Sequence, residues 1–164
     1  MPAKVWAPSS RSARPSSKGA KAPHLHETKL RVRYSETDAQ GIVNNANYLS
    51  YFEVGRVEWL RTAGLSYKEL EERGYGFVVV EVRAFYKRAA RFDDELTLRT
   101  SLAELSKASL RFEYALLRGG EMLATGYTRH GCIELASGRI CRLPGVLAAR
   151  LQEAEPHPPV GLGD

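Results

Sequence analysis

The side chains best placed to do chemistry lie within fifteen residues. Asp38 sits between Thr37 and Ala39, Gly41 follows at a turn, and Asn44 and Asn45 precede the first helical spacing of apolar residues. Upstream, Leu30, Val32 and Tyr34 alternate with Lys29, Arg31 and Arg33 as in a strand, and from Ala46 onward the period becomes helical. With Asn44 or Asn45 as N-cap, the unpaired N–H groups of the first helical turn point back at the loop that carries the carboxylate. An acid facing fixed backbone donors suits acyl transfer, because the donors stabilise charge growing on a carbonyl oxygen while the acid attacks or activates water. A thioester carbonyl fits such a site. The competing reading is that Asp38 only accepts hydrogen bonds from its own turn, as Asp residues in strand-to-helix turns commonly do.

Glu53 and Arg56 are three residues apart on the same helical pattern. They form either an exposed ion pair worth a few tenths of a kcal/mol (roughly 0.2–0.5) or a second acid, Glu53, leaning toward the site.

The elements that must hold these residues follow from periodicity. A helix is predicted over 46–63, with Tyr48, Phe52, Gly55 and Trp59 in one stripe, Leu49 and Leu60 widening it and Gly64 closing it. A mid-helix Gly costs about 1 kcal/mol relative to Ala, so Gly55 predicts another chain segment packed closely against it. Ser66 and Glu69 form a capping box for a short connecting helix ending at Gly74. Four strand-like runs follow, over 77–89, 94–105, 109–118 and 122–135. Their expected core faces are Val78, Val80, Val82, Ala84 and Tyr86 in the first, Leu96, Leu98, Thr100 and Leu102 in the second, and Leu110, Phe112, Tyr114 and Leu116 in the third. Residues 139–143 could pair back across Ser137-Gly138, and Pro144 opens a short final helix. A strand, a long apolar helix and then strands joined by short turns make an α+β fold, an antiparallel sheet of five or six strands wrapped around one helix.

At 164 residues the chain has the size of one domain. Its formal net charge of +5 resides in residues 1–26, where Lys4, Arg11, Arg14, Lys18 and Lys21 occur without an acid; the remainder balances. The charge therefore describes a Ser-, Pro- and Ala-rich tail and argues against a specific nucleic-acid surface on the folded part. Residues 1–27 are expected to be a disordered basic tail, 28–151 the domain and 152–164 a flexible end. No run of about 18 apolar residues could span a membrane. An apolar secretory h-region is lacking; the acid-free, Ser- and Arg-containing N-terminus leaves an organelle transit peptide as a lesser option, against which Pro2, Pro8, Pro15 and Pro23 interrupt the amphipathic helix such peptides need. A cytoplasmic protein is expected, with Cys132 and Cys141 reduced or, less readily, joined across the Ser137-Gly138 turn. Neither cysteine belongs to a metal pattern, His24 and His26 lack a third ligand, and the expected chemistry needs no metal or cofactor.

Three segments, in this order and spacing, resemble the hotdog-fold acyl-CoA thioesterases of the 4-hydroxybenzoyl-CoA thioesterase type: Arg33-Tyr34 through Thr37-Asp38, Gly41-Ile42-Val43-Asn44-Asn45 through Tyr48, Phe52-Glu53 and Arg56, and the run from Tyr86 to Leu96. The resemblance covers about residues 28–145. It implies a homodimer joined edge to edge, with dimers often paired into tetramers, and an active site between subunits. It assigns Asp38 as nucleophile or general base and the backbone N–H near Asn45 as the donor that polarises the thioester carbonyl. Glu53 is a secondary helper. Gly41, Val43, Asn44 and Tyr48 would contact substrate, and Lys87, Arg88 and Arg91 would meet the CoA phosphates. Many relatives carry His at the position of Asn45; Asn cannot shuttle protons, so proton transfer would rest on Asp38 or water. The expected substrate is an acyl-CoA. Two alternatives stay open: the same hydrolysis on an acyl carrier protein, and a non-catalytic acyl-CoA sensor or scaffold.

Overall fold

The structure, a computed structural model, describes residues 25–154. Strand β1 (Leu25–Arg31) leads through a 3-10 turn (Tyr34–Glu36) and the Asp38 loop into helix α1 (Asn47–Thr62) and the short α2 (Tyr67–Glu72). Strands β2 (Tyr75–Tyr86), β3 (Glu95–Leu105), β4 (Ser109–Arg118) and β5 (Glu121–Glu134) follow, then α3 (Gly145–Glu153). The five strands form one antiparallel sheet in the order β1-β3-β4-β5-β2. The α1 crossover thus sends β1 to one edge and β2 to the other, the hotdog arrangement.

The sheet curls around α1 because both inner surfaces are apolar and close-fitting. Phe52 stacks on Tyr114 with ring centroids 4.4 Å apart, and Trp59 meets Phe112 edge-on at 5.3 Å. Leu96, Leu98, Thr100 and Leu102 of β3 and Leu110, Phe112, Tyr114 and Leu116 of β4 are buried, as their alternation predicts. Gly55 lies against β3 so closely that a Cβ there would stand 2.6 Å from Leu98 Cδ2. The buried stripe of α1 differs from the predicted one at its flanks. Leu49 is exposed, whereas Tyr51 and Arg56 turn toward the sheet.

The predicted face of β2 is corrected by a bulge. The register with β5 slips between Val79 and Glu81, so Val80 is an extra residue. Phe77 and Val79 lie opposite Cys132 and His130 on the inner side, as do Val82 and Ala84 opposite Thr128 and Gly126. Val78 and Val80 fall on the outer side, against Gly131. One inserted residue reverses the parity of everything before it.

Four further expectations change. Residues 139–143 add no sixth strand; they pair back across the turn through the isolated Ile133–Ile140 bridge, with Glu134 N donating to the Arg139 carbonyl and Cys141 N to the Cys132 carbonyl, each at 2.9 Å. Half of the capping box forms, with Ser66 Oγ accepting from Glu69 N at 3.1 Å, because the Glu69 carboxylate is drawn to Arg150 of α3 (2.9 Å). The described fold already includes Leu25, three residues ahead of the expected start at 28, since Leu25 packs on Ala115, Leu117 and Met122 and His26 pairs with Thr100. It runs through Glu153, two residues into the expected C-terminal tail. The rest of the basic tail, with His24, and residues 155–164 lie outside the described residues. Among the described residues no helix is long and apolar enough to cross a membrane, and no cluster of His, Cys, Asp and Glu could hold a metal.

Candidate active site

The loop carrying Asp38 is a tight hairpin closed by the Thr37–Val43 bridge. The Asp38 N–H donates to the Ile42 carbonyl and the Gly41 N–H to the Asp38 carbonyl, each at 2.9 Å. Gly41 makes the turn at φ +76°, a region L side chains rarely adopt. Asp38 Oδ1 accepts from Gln40 N at 2.8 Å. Oδ2 has no hydrogen-bond partner among the described residues, so half of the carboxyl serves the turn and half is available.

Glu36 anchors this loop from behind. Its buried carboxyl accepts from Arg33 N at 2.7 Å, and its carbonyl accepts from both Asn44 N and Asn47 Nδ2, each at 2.9 Å. The loop and the helix start are thereby tied to one residue. The Tyr51 hydroxyl is buried beside Glu36, and burial together with that carboxylate raises its pKa far above the ordinary phenol range.

Asn44, and not Asn45, makes the turn into the helix: its Oδ1 accepts from Ala46 N and its carbonyl from Asn47 N, both at 2.9 Å. The regular helix begins two residues later than a cap at Asn44 would place it, at Asn47, with Ala46 as a cap that makes no side-chain bond. The Asn45 N–H is used by no hydrogen bond among the described residues. Its carbonyl accepts from Tyr86 Oη at 3.0 Å and, more weakly, from Tyr48 N at 3.4 Å.

Asp38 and Asn45 line one open cavity of about 310 Å³. Val43, Tyr48, Lys87 and Arg88, all expected from sequence, share it, and Gln40, Ile42, Tyr86 and Ala89 complete it. Tyr48 is buried, with its ring edge-on to Tyr86 at 4.9 Å, and burial raises its pKa. Lys87 and Arg88 enter the cavity because both of their N–H groups bond to the Leu123 carbonyl (2.8 and 3.0 Å), which turns the chain at the end of β2.

The remaining expected residues lie outside this wall. Gly41 and Asn44 shape the loop and the helix entry. Arg91 donates to the Gly41 carbonyl (3.4 Å), so it braces the loop. Glu53 is two-thirds exposed and pairs with Arg56 at 3.5 Å, away from the cavity of this chain. That pair is not the exposed one considered from sequence, because the Arg56 guanidinium is buried near the Tyr67 and Tyr114 hydroxyls. Tyr86 was assigned to the β2 core face; that face opens onto the cavity at its last rung, and its place beside Lys87 was the available signal.

The cavity is thus lined by Asp38, which keeps one carboxylate oxygen outside the turn's hydrogen bonds, by Asn45, whose N–H is unengaged among the described residues, and by the cations Lys87 and Arg88. A carbonyl seated there could be polarised by the N–H while the carboxylate attacks it or deprotonates water.

Residues 32–151 match the family model described as the thioesterase-like superfamily. The acyl-CoA thioesterase YbgC of Haemophilus influenzae is 36% identical over 116 residues, covering 70% of this chain and 85% of that protein. Protein TT1821 of Thermus thermophilus superposes with a TM-score of 0.75 at 40% identity, covering 79% of this chain and 96% of that one. The DHNA-CoA thioesterase of Staphylococcus aureus superposes with a TM-score of 0.74 at 25% identity, covering 78% and 91%. The chain belongs to the thioesterase-like superfamily and is a hotdog-fold enzyme of the acyl-CoA thioesterase type.

Proposed function

We propose that this enzyme hydrolyses an acyl-CoA in the cytoplasm, releasing a carboxylic acid and CoA. Asp38 acts as nucleophile or as general base on water, and the Asn45 N–H polarises the thioester carbonyl. The observation that carries this reading is that Asp38 and Asn45 line one cavity, while one Asp38 carboxylate oxygen and the Asn45 N–H have no hydrogen-bond partner among the described residues. A dipole already aimed where charge develops needs no reorganisation during the reaction. Lys87 and Arg88 offer the CoA phosphates two cations at the cavity wall. Asn45 supplies no proton, so both proton transfers fall to Asp38 and water. The names of the relatives support the choice of thioester and of CoA. Cys132 and Cys141, free thiols with sulphurs 3.6 Å apart, suit a reducing compartment.

Assembly enters the same reading. Among the described residues β2 is a twelve-residue edge strand with one side unpaired, and it exposes Val79, Val80 and Val82. Long apolar edges are covered in stable proteins, and a second copy pairing along β2 would do so. The partner would then wall the Tyr86 end of the cavity. Glu53, exposed in one chain, would reach a site only through that assembly.

The test is a thiol-release screen over short, long and aromatic acyl-CoAs, repeated on matched carrier-protein thioesters to decide the carrier. Asp38→Asn keeps an oxygen for the Gln40 N–H, so the loop survives while the reacting oxygen is lost. General-base or nucleophile loss predicts a fall of about 10²–10⁴ in kcat, with an unfolding midpoint within about 2 °C of the parent, as expected for a change under roughly 0.5 kcal/mol. Unchanged turnover in Asp38→Asn would falsify the assigned role.

A further inference from the structure

We infer that Tyr86 is a positioning residue for the thioester carbonyl: its hydroxyl ties the Asn45 end of α1 to the sheet and so aims the Asn45 N–H into the cavity. This rests on the hydrolase reading above.

The helix start is held well at Asn44, by its 2.9 Å bonds to Ala46 N and Asn47 N, but less well at the Asn45 carbonyl. Ala46, the cap, makes no side-chain bond, and Asn45 and Ala46 are exposed. The bond that should secure the Asn45 carbonyl from within the helix, from Tyr48 N, is long at 3.4 Å. The shorter one, 3.0 Å, comes from Tyr86 Oη, forty-one residues away in sequence. Tyr86 is well fixed. It is the last rung of β2, opposite Ala124, and the chain beyond it is clamped by two N–H groups on the Leu123 carbonyl. Its ring rests edge-on against the buried Tyr48, whose hydroxyl accepts from Ala90 N. Sheet, ring and hydroxyl therefore form one continuous support that ends on the Asn45 carbonyl.

An N–H that stabilises a developing oxyanion is useful only while its direction is fixed, because a dipole free to turn must be reoriented in the transition state. The Asn45 N–H lies in the peptide plane it shares with the Asn44 carbonyl, which accepts from Asn47 N at 2.9 Å; the Tyr86 bond holds the following plane, so Asn45 is restrained from both sides and the torsions that set its N–H have less room to drift. The Tyr86 proton is already committed to this bond, which distinguishes it from a direct donor to substrate. The same hydroxyl links the proposed donor to β2, whose outer edge is unpaired among the described residues, so any partner that orders β2 also orders the donor.

Tyr86→Phe keeps the ring and removes the tether. The expected result is a fall of roughly fivefold in kcat, the scale of one hydrogen bond, with KM within twofold and the unfolding midpoint within 2 °C or so. Amide hydrogen exchange over 45–49 should be faster in the variant. Tyr86→Leu, which also strips the cavity wall, should raise KM as well. The inference is overturned if Tyr86→Phe leaves both kcat and the exchange of 45–49 unchanged, or if kcat, KM and the midpoint all move together as in general destabilisation. Exchange reads the tether without turnover: a parent enzyme that releases no CoA, yet whose 45–49 amides loosen in Tyr86→Phe, would sink the hydrolase reading and leave the tether standing.

Discussion

Gly55→Ala asks whether α1 is held as closely to the sheet as its chemistry requires. On helix propensity alone the change should stabilise α1 by about 1 kcal/mol. Packing opposes it. A methyl at Gly55 would stand 2.6 Å from Leu98 Cδ2 and closer still to Thr100 Oγ1, with both neighbours fully buried on β3. Leu98 can swing its end aside, but Thr100 is β-branched and restricted at χ1, so relief there means moving the strand or the helix. Overpacking of this kind costs about 1–3 kcal/mol; taking the upper end for two buried neighbours leaves a net loss of about 2 kcal/mol. For a chain of this size that is a drop of about 4–8 °C in unfolding midpoint. The assay is thermal unfolding at one fixed protein concentration, since any assembly makes the midpoint concentration-dependent. Thr100→Ala in the same chain should recover part of the loss, a coupling expected only for residues in contact. A Gly55→Ala midpoint at or above the parent's would refute the close approach and the propensity argument built on it.

Two further predictions concern charge. Burial, reinforced by the nearby Arg56 cation, lowers the His130 pKa from 6.5 to about 4. Its folded pKa lies below the unfolded one, so the unfolded chain binds more protons between these values. The neutral ring's contribution is complete above pH 6.5 and is lost as pH falls toward 4. The shift corresponds to about 3 kcal/mol, and His130→Gln should flatten that part of the stability–pH curve; an unchanged slope would show that other groups set it. Lys87→Ala removes a cavity cation with no carboxylate partner among the described residues. It should raise KM for acyl-CoA about fivefold, the effect of roughly 1 kcal/mol, with kcat little changed and the difference shrinking at high salt; a KM equal to the parent's would take Lys87 out of phosphate recognition.

Local pattern determined a good deal of this protein. The Asp38–Gly41 turn, the long helix after Asn45 and the alternation of β3 and β4 were all legible, because each depends on near neighbours: a turn needs its glycine, a helix its 3.6-residue period, and a strand its alternation. Gly55 announced the close approach of β3 for the same reason, since its cost in a helix demands compensation. The acid and the helix start are also close in sequence, so their meeting at one cavity needed no distant partner.

Tertiary structure decided what depends on residues far apart. The inward face of β2 could not be read, because the bulge at Val80 arises from its register with β5 and leaves no mark in composition. Tyr86 looked like a core residue until the sheet curled and brought its hydroxyl to Asn45, a contact spanning forty-one residues. Arg56 and Glu53 looked like a surface pair until the face of α1 against the sheet was known. Glu36 and Asn44 took roles at the loop and the helix entry that their residue types permit but do not specify. Sequence thus placed Asp38 and the start of the long helix near each other, through interactions within a few residues. The tie from Tyr86 to the Asn45 carbonyl and the walls of the cavity came from strand pairing and sheet curvature, whose causes lie in the whole chain.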